Sequence, residues 1–239
     1  MIKIIVILLL ASATNAFAEG PTNFFIEGLA ATPINNLSES SDYAGASGYV
    51  CSNCPTGKLG GVHTSSDTTW ALKAGYTYSE NLRFDISYYS LSYGKTSWGT
   101  DFSSFNGTYN SASATPFTSN KLSSDAAFIS AYYNLNLENG LKPYAGLGVG
   151  LSRNKFGYTN EGGYNFINSH TNTDFAWKLD IGSQYEFNNH LAVDLSLTLI
   201  DVGEYKSANN RGTDHEAIAP YKFSADLSPI ASVGLIYKF

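Results

Sequence analysis

The chain has 239 residues and a formal net charge of -6, with charged residues at only 14 % against about 25 % in ordinary soluble domains. It carries 17 Tyr and 14 Phe beside one Met, and its acidic balance argues against nucleic acid, whose phosphates require a basic patch. The mean hydropathy of -0.14 is slightly polar, as expected of a chain in which only one face of each strand meets an apolar medium.

Residues Met1 to Ala18 read as a secretory signal peptide, and Glu19 to Phe239 as one domain. Lys3 gives the positive start, Ile4 to Ala11 the apolar run and Ala16-Phe17-Ala18 the small-x-small cleavage site. The run is too short for a spanning helix, which needs about 20 apolar residues. No later segment approaches that length. A membrane chain without such helices can cross only as a closed barrel, because backbone groups cannot go unpaired in lipid.

Strand one is expected over Thr22 to Ala31, followed by a loop from Thr32 to Ser66 rich in Ser, Gly and Asn. Strand two, Asp67 to Tyr78, sets Trp70, Leu72, Ala74 and Tyr76 against Ala71, Lys73 and Gly75, the period of two that a strand imposes on its side chains. Ser79-Glu80-Asn81 turns it into strand three, where Leu82, Phe84, Ile86 and Tyr88 oppose Arg83, Asp85, Ser87 and Tyr89. A second loop, Gly94 to Ser124, precedes strand four, Asp125 to Leu137. Glu138-Asn139-Gly140 leads into strand five, Leu141 to Asn154, with Gly146, Gly148 and Gly150 on its inward row, where they relieve crowding against Tyr144.

A third loop spans Lys155 to Asn172. Strand six carries Phe175, Trp177, Leu179, Ile181, Tyr185 and Phe187 on one face, and Asn188-Asn189-His190 turns into strand seven at Leu191. The stretch Gly203 to Lys222 then leads to the last strand, whose outer face reads Ala231, Val233, Leu235, Tyr237 and Phe239. The connections after strands one, three, five and seven are long, and those after two, four and six are tight. In a meander, that parity puts every long loop at one end. The prediction is all-β: an eight-stranded antiparallel up-and-down transmembrane β-barrel with four long external loops and three short periplasmic turns.

Pro143-Tyr144-Ala145-Gly146-Leu147-Gly148-Val149-Gly150 is similar to a strand of the opacity-protein-like and general outer-membrane β-barrel family. The terminal strand with Val233, Leu235, Tyr237 and Phe239 resembles the closing strand of such barrels, where the terminal aromatic signature is read by the barrel-assembly machinery. The resemblance implies the Gram-negative outer membrane, with its lipid and lipopolysaccharide as surroundings. It covers a functionally mixed group of adhesins, serum-resistance proteins and surface antigens.

Glu27, Lys73, Arg83, Asp85, Lys178, Asp180, Glu186 and Asp194 fall on inward rows. A barrel of this strand number is just wide enough to be filled by side chains, so these charges are expected to pair in a polar core. Cys51 and Cys54 sit in the first loop; in an oxidising compartment they are expected to form a local disulfide. Zinc would need more ligands than the nearby His63 supplies, and no metal or cofactor site is expected. His170 beside Ser169, with Asp174 following, is the nearest pattern to a lipid-modifying Ser/His site, but adjacent residues do not readily present a nucleophile to its base.

Trp98, Phe102, Phe105, Tyr109 and Phe117 lie among Ser, Thr, Gly and Asn, a mixture that adaptable protein-binding surfaces use. The functional expectation is a non-enzymatic surface protein, an adhesin, surface antigen or envelope-integrity factor, meeting a host or matrix protein through loops 32–66 and 94–124. A lipid A acyltransferase or deacylase, and a narrow channel for small or hydrophobic solutes, are the alternatives.

Overall fold

The computed structural model describes residues 23–34, 38–39, 42–43, 57–66, 69–101, 117–119, 121–137, 140–161, 165–210, 212, 215, 220–224 and 228–239. The expected leader and the Cys51–Cys54 pair lie outside the described residues. Eight long strands build the wall: β1 (Phe24–Pro33), β2 (Thr69–Thr77), β3 (Leu82–Asp101), β4 (Leu122–Asn134), β5 (Leu141–Phe156), β6 (His170–Glu186), β7 (Leu191–Asp201) and β8 (Ser228–Lys238). Each pairs antiparallel with its sequence neighbours. β1 then pairs with β8, from Phe25 opposite Lys238 to Pro33 opposite Ile230, which closes the ring.

The alternation read from the sequence becomes two faces. Ile86, Ile129, Leu147, Leu151, Ile181, Leu195 and Leu235 point outward and are exposed, the arrangement that suits lipid and no other solvent. Aromatic side chains border this band. At the short-turn end, Tyr185 meets Phe187 at 5.3 Å and Tyr237 meets Phe239 at 5.1 Å between ring centroids. At the other end Trp70 meets Tyr88 at 5.5 Å.

The wall is taller than the sequence pattern shows. β3 continues to Asp101, past Gly94 where the alternation ends, because Gly57–Ser66 pairs along its outer half with Lys58 opposite Asp101. Phe117–Ser119 pairs with Thr96–Trp98, and Thr159–Glu161 bridges that segment to Asn165–Ile167. Beyond the bilayer neither strand face has to be apolar, so a Ser/Thr-rich strand leaves no period-two signal there. The expected loops 32–66 and 94–124 thus each contain strand.

Between β4 and β5 the inward glycines admit large neighbours. A Cβ at Gly146 would fall 2.1 Å from the Tyr132 ring, and one at Gly148 would lie 2.7 Å from Ser130 Oγ. A Cβ at Gly150 would strike the Ala127 carbonyl at 1.9 Å. Tyr144 uses Gly182 in the same way on its other side, where a Cβ would come within 2.7 Å of its ring.

Ile129 is 66 % exposed near the middle of β4. Ile129→Arg should lower folding stability by roughly 2–4 kcal/mol in bilayers, the cost of a cation at the membrane midplane, while Ile129→Leu should stay within about 1.5 kcal/mol of the parent. Urea unfolding followed by the loss of the faster-migrating unboiled gel band measures both.

Candidate functional site

The interior is stacked in three layers from the short-turn mouth outward. At that mouth, Phe25, Ala192 and Ile236 form a small apolar cluster beside Arg83, Asn134 and Gln184. The middle layer holds buried Glu27, Lys73, Asp85, Lys178, Asp180 and Asp194. The outer layer is apolar and continuous, with Leu29, Leu91, Tyr93, Leu122, Phe128, Phe156, Ile200, Val202 and Ile230 at its centre.

The middle layer is knitted by short contacts. Lys73 Nζ lies 3.2 Å from Glu27 Oε1, its partner across the β1–β2 register. Lys178 Nζ donates to Asp180 Oδ2 at 2.5 Å and to the Tyr132 hydroxyl at 2.8 Å, while Thr198 Oγ1 donates to Asp180 Oδ1 at 2.6 Å. Asp194 accepts from the Tyr144 hydroxyl at 2.9 Å and from Gln184 Nε2 at 3.2 Å. These side chains thereby supply the charged and polar partners that buried ions require. Asp85 is equally buried, and neither of its oxygens has a hydrogen-bond partner among the described residues.

Arg83 is held differently. Its guanidinium carbon sits 5.4 Å from the Phe25 ring centre, 4.4 Å from that of Tyr132 and 4.8 Å from that of Tyr144. Three π-faces stabilise the cation by quadrupole attraction. Glu186, on an inward row, ends at the short-turn rim instead of the core, with its side chain 25 % exposed. It accepts from Lys142 at 2.9 Å and also from Lys238.

The outer layer is completed by a hairpin of the fourth long loop, Glu204–Lys206 paired with Lys222–Ser224. Tyr205 and Phe223 are fully buried and reach down into the barrel mouth. Tyr205 meets the edge of Tyr93 at 5.9 Å, and Phe223 stacks on Phe156 at 5.9 Å. The hairpin is pinned from the wall: Asn154 Nδ2 donates to the Val202 carbonyl at 2.6 Å, Asn172 Nδ2 to the Glu204 carbonyl at 2.8 Å, and the Glu204 N–H to Asp174 Oδ2 at 3.1 Å. Gly203 turns at φ +78°, and a Cβ there would press to 2.6 Å from Asp174. Sequence reasoning missed this plug. Its trace is the matched alternation of Glu204-Tyr205-Lys206 and Tyr221-Lys222-Phe223 inside a stretch otherwise read as loop.

The Ser169, His170 and Asp174 pattern does not converge. Ser169 and His170 are exposed on the outer rim, whereas the Asp174 carboxylate is occupied by Asn154, Asn172 and the Glu204 backbone. His190 lies at the opposite end, bonded through Nδ1 to the Lys238 carbonyl at 2.9 Å. His215 is exposed in the fourth loop. Trp98 and Phe117 are register partners beyond the membrane band, and Phe102, Phe105 and Tyr109 lie outside the described residues.

A family model described as the outer membrane protein beta-barrel domain matches residues 4–225. A Rickettsia massiliae protein named "Putative adhesin" is 30 % identical over 197 residues, covering 76 % of this chain and 85 % of its own. A Rickettsia rickettsii protein of the same kind of name matches at 30 % over 197 residues, with 76 % and 85 % covered. Among solved structures, the outer membrane protein OprG of Pseudomonas aeruginosa superposes with a TM-score of 0.56 at 16 % identity, over 92 % of this chain and 96 % of that one, which is a likeness of fold.

Two measurements follow from the layered interior. Glu27→Gln should cost about 3–5 kcal/mol, since it strands the Lys73 ammonium in the core, and a Glu27→Leu, Lys73→Met double variant should cost less than the two single changes together; urea midpoints of the folded gel band give the cycle. At the rim, Lys142 and Lys238 share the Glu186 carboxylate, so Glu186→Gln should be less stable than the parent at pH 7, read from the same urea midpoints.

Proposed function

Because the chain belongs to the outer membrane protein β-barrel domain family and so resides in the Gram-negative outer membrane, we propose that it is a non-enzymatic surface protein acting through its external loops, as an adhesin or surface antigen. The observation that carries this reading is the apolar plug. Tyr205 and Phe223 lie fully buried in the mouth within a continuous apolar layer, which favours a closed lumen over a channel. What is left to meet the outside is the part of the sheet that rises beyond the ring: the outer half of β3, with Gly57–Ser66, Phe117–Ser119 and Thr159–Glu161. This rim carries loops rich in Ser, Asn and Gly with interspersed Tyr and Phe, the chemistry of adaptable binding faces.

The names of the Rickettsia relatives favour attachment to host or matrix protein over an envelope-integrity role. Lipopolysaccharide and outer-membrane phospholipid are the surroundings of the apolar band, and the barrel-assembly machinery is the partner that reads the Val233, Leu235, Tyr237 and Phe239 face. A lipid A-modifying activity has no support in the geometry around Ser169 and His170, and a channel would need the plug to leave. No catalytic residue, metal or cofactor belongs to this reading.

Replacing residues 102–116 with a short Gly-Ser linker keeps β3, β4 and the paired rim. Binding of the refolded protein to host cells or matrix should fall at least tenfold, while the faster-migrating unboiled band persists. Unchanged binding with that band intact would refute the assignment to this loop, and altered acyl chains on co-purified lipid A would refute the non-enzymatic reading.

A further inference from the structure

The outward face of the wall is apolar in its middle and changes character toward the long-loop end. On β5 the outward row reads Leu147, Val149 and Leu151, then Arg153 and Lys155. On β4 it reads Ile129 and Ala127, then Asp125 and Ser123, and on β6 Trp177 and Phe175, then Thr173 and Thr171. The register sets these changes side by side. Leu151 lies opposite Ala127 and Phe175, Arg153 opposite Asp125 and Thr173, and Lys155 opposite Ser123 and Thr171. Three adjacent strands thus leave the hydrocarbon at the same step, and the residues just beyond it stand at the depth of the outer-leaflet headgroups.

Arg153 and Lys155 are exposed there, two residues apart on one face and so about 7 Å from each other along the strand. Neither forms an ion pair among the described residues. Asp125, the acid nearest in register, is engaged on its other side. Its Oδ1 accepts from the Tyr88 hydroxyl at 2.6 Å and from Ser90 Oγ at 3.2 Å, both on β3. Lys121, just before β4, is exposed on the same outward row beyond Ser123. Three cations against one carboxylate make a positive patch on a chain whose net charge is -6. The patch is local, because on β7 the apolar row ends instead on an acid, Asp201.

Whatever covers this patch must carry negative charge at headgroup depth and hydrocarbon directly below it. A phosphorylated lipid has both. Arg153 presents a planar fork for two phosphate oxygens and Lys155 a mobile point charge. The exposed hydroxyls of Thr171 and Thr173 add donors for sugar oxygens. Below them, Leu151 and Phe175 are each 62 % exposed, and Ala127 leaves the wall recessed between Tyr88 and Leu151. Three strands make this face about 10 Å wide, broad enough for a sugar headgroup bearing several chains.

We propose that this face of β4, β5 and β6 is a docking site for one lipid A molecule of the outer leaflet, with a glucosamine phosphate on Arg153 and Lys155 and acyl chains along Val149, Leu151 and Phe175. The site rests on the outer-membrane location and is separate from the loop surface assigned to host attachment.

The test uses the full chain folded in detergent micelles, with EDTA present so that no divalent cation bridges phosphate to Asp125. Native mass spectrometry follows the retention of lipid A, of the same lipid A stripped of its phosphates, and of phosphatidylglycerol. Lipid A should bind at least tenfold more tightly than either of the others. An Arg153→Gln, Lys155→Gln double variant should weaken lipid A at least tenfold with the faster-migrating unboiled band unchanged, whereas Lys142→Gln, at the short-turn end, should bind as the parent does. Asp125→Asn removes the neighbouring negative charge and should tighten binding severalfold. Equal retention of the dephosphorylated lipid or of phosphatidylglycerol would overturn the proposal. So would undiminished binding in the double variant, or equal weakening by Lys142→Gln. If the double variant does not fold, Asp125→Asn decides, and binding no tighter than the parent's then rules the site out.

Discussion

Everything in this molecule follows from one requirement: within hydrocarbon, each backbone N–H and C=O must find its partner in the protein itself. The pairing of β1 with β8 meets it for the two strands that would otherwise be edges, and the tilt and spacing of eight strands then fix the bore. A bore of that size cannot hold a water column wide enough to solvate ions, so the inward side chains must solvate one another. The ion pairs, the ring-caged Arg83 and the glycine gaps beside Tyr132 and Tyr144 are the solutions that this sequence uses.

Those solutions divide the lumen. In the middle, Lys178, Asp180, Thr198 and Tyr132 form one bonded group, and Glu27 with Lys73 another. Outward of them the walls turn apolar and accept Tyr205 and Phe223 from the fourth loop. Inward, the packing stops short and leaves a cavity that opens to the short-turn side. The two mouths are therefore chemically unlike: one is aromatic and filled, the other charged and partly open.

Much of this was legible in the sequence. Period-two alternation from Trp70 to Tyr76 or from Leu141 to Leu151 gives strand and facing together, because a membrane strand has two solvents that differ as much as solvents can. The parity of loop lengths gives the topology. What escaped is where that contrast vanishes. Past Gly94, both faces of β3 lie outside the bilayer, and hydrogen bonding to Gly57–Ser66 holds it without an apolar stripe. The inward row also changes from charged to apolar along its length, as in Asp85, Ser87, Tyr89, Leu91 and Tyr93. Alternation reports which side a residue faces, not how deep it sits. The plug was hidden for a third reason: its hairpin strands are three residues each, too short for any periodicity to register. The clustering of Asn154, Asn172 and Asp174 against that hairpin depends on contacts distant in sequence.

The glycine row of β5 also bears on the order in which the barrel comes together. Tyr132, Ser130 and Phe128 on β4 stand directly opposite Gly146, Gly148 and Gly150 on β5, and the two strands are joined by a tight turn. This hairpin thus brings its share of the lumen packing with it, through contacts a few tens of residues apart at most, whose loop-closure entropy is small. The Glu27–Lys73 pair spans a far longer connection, and the contacts of Arg83 with Phe25 and Tyr144 draw on three hairpins at once. The β4–β5 unit accordingly carries an interior surface before there is an interior, a template onto which the remaining hairpins can register.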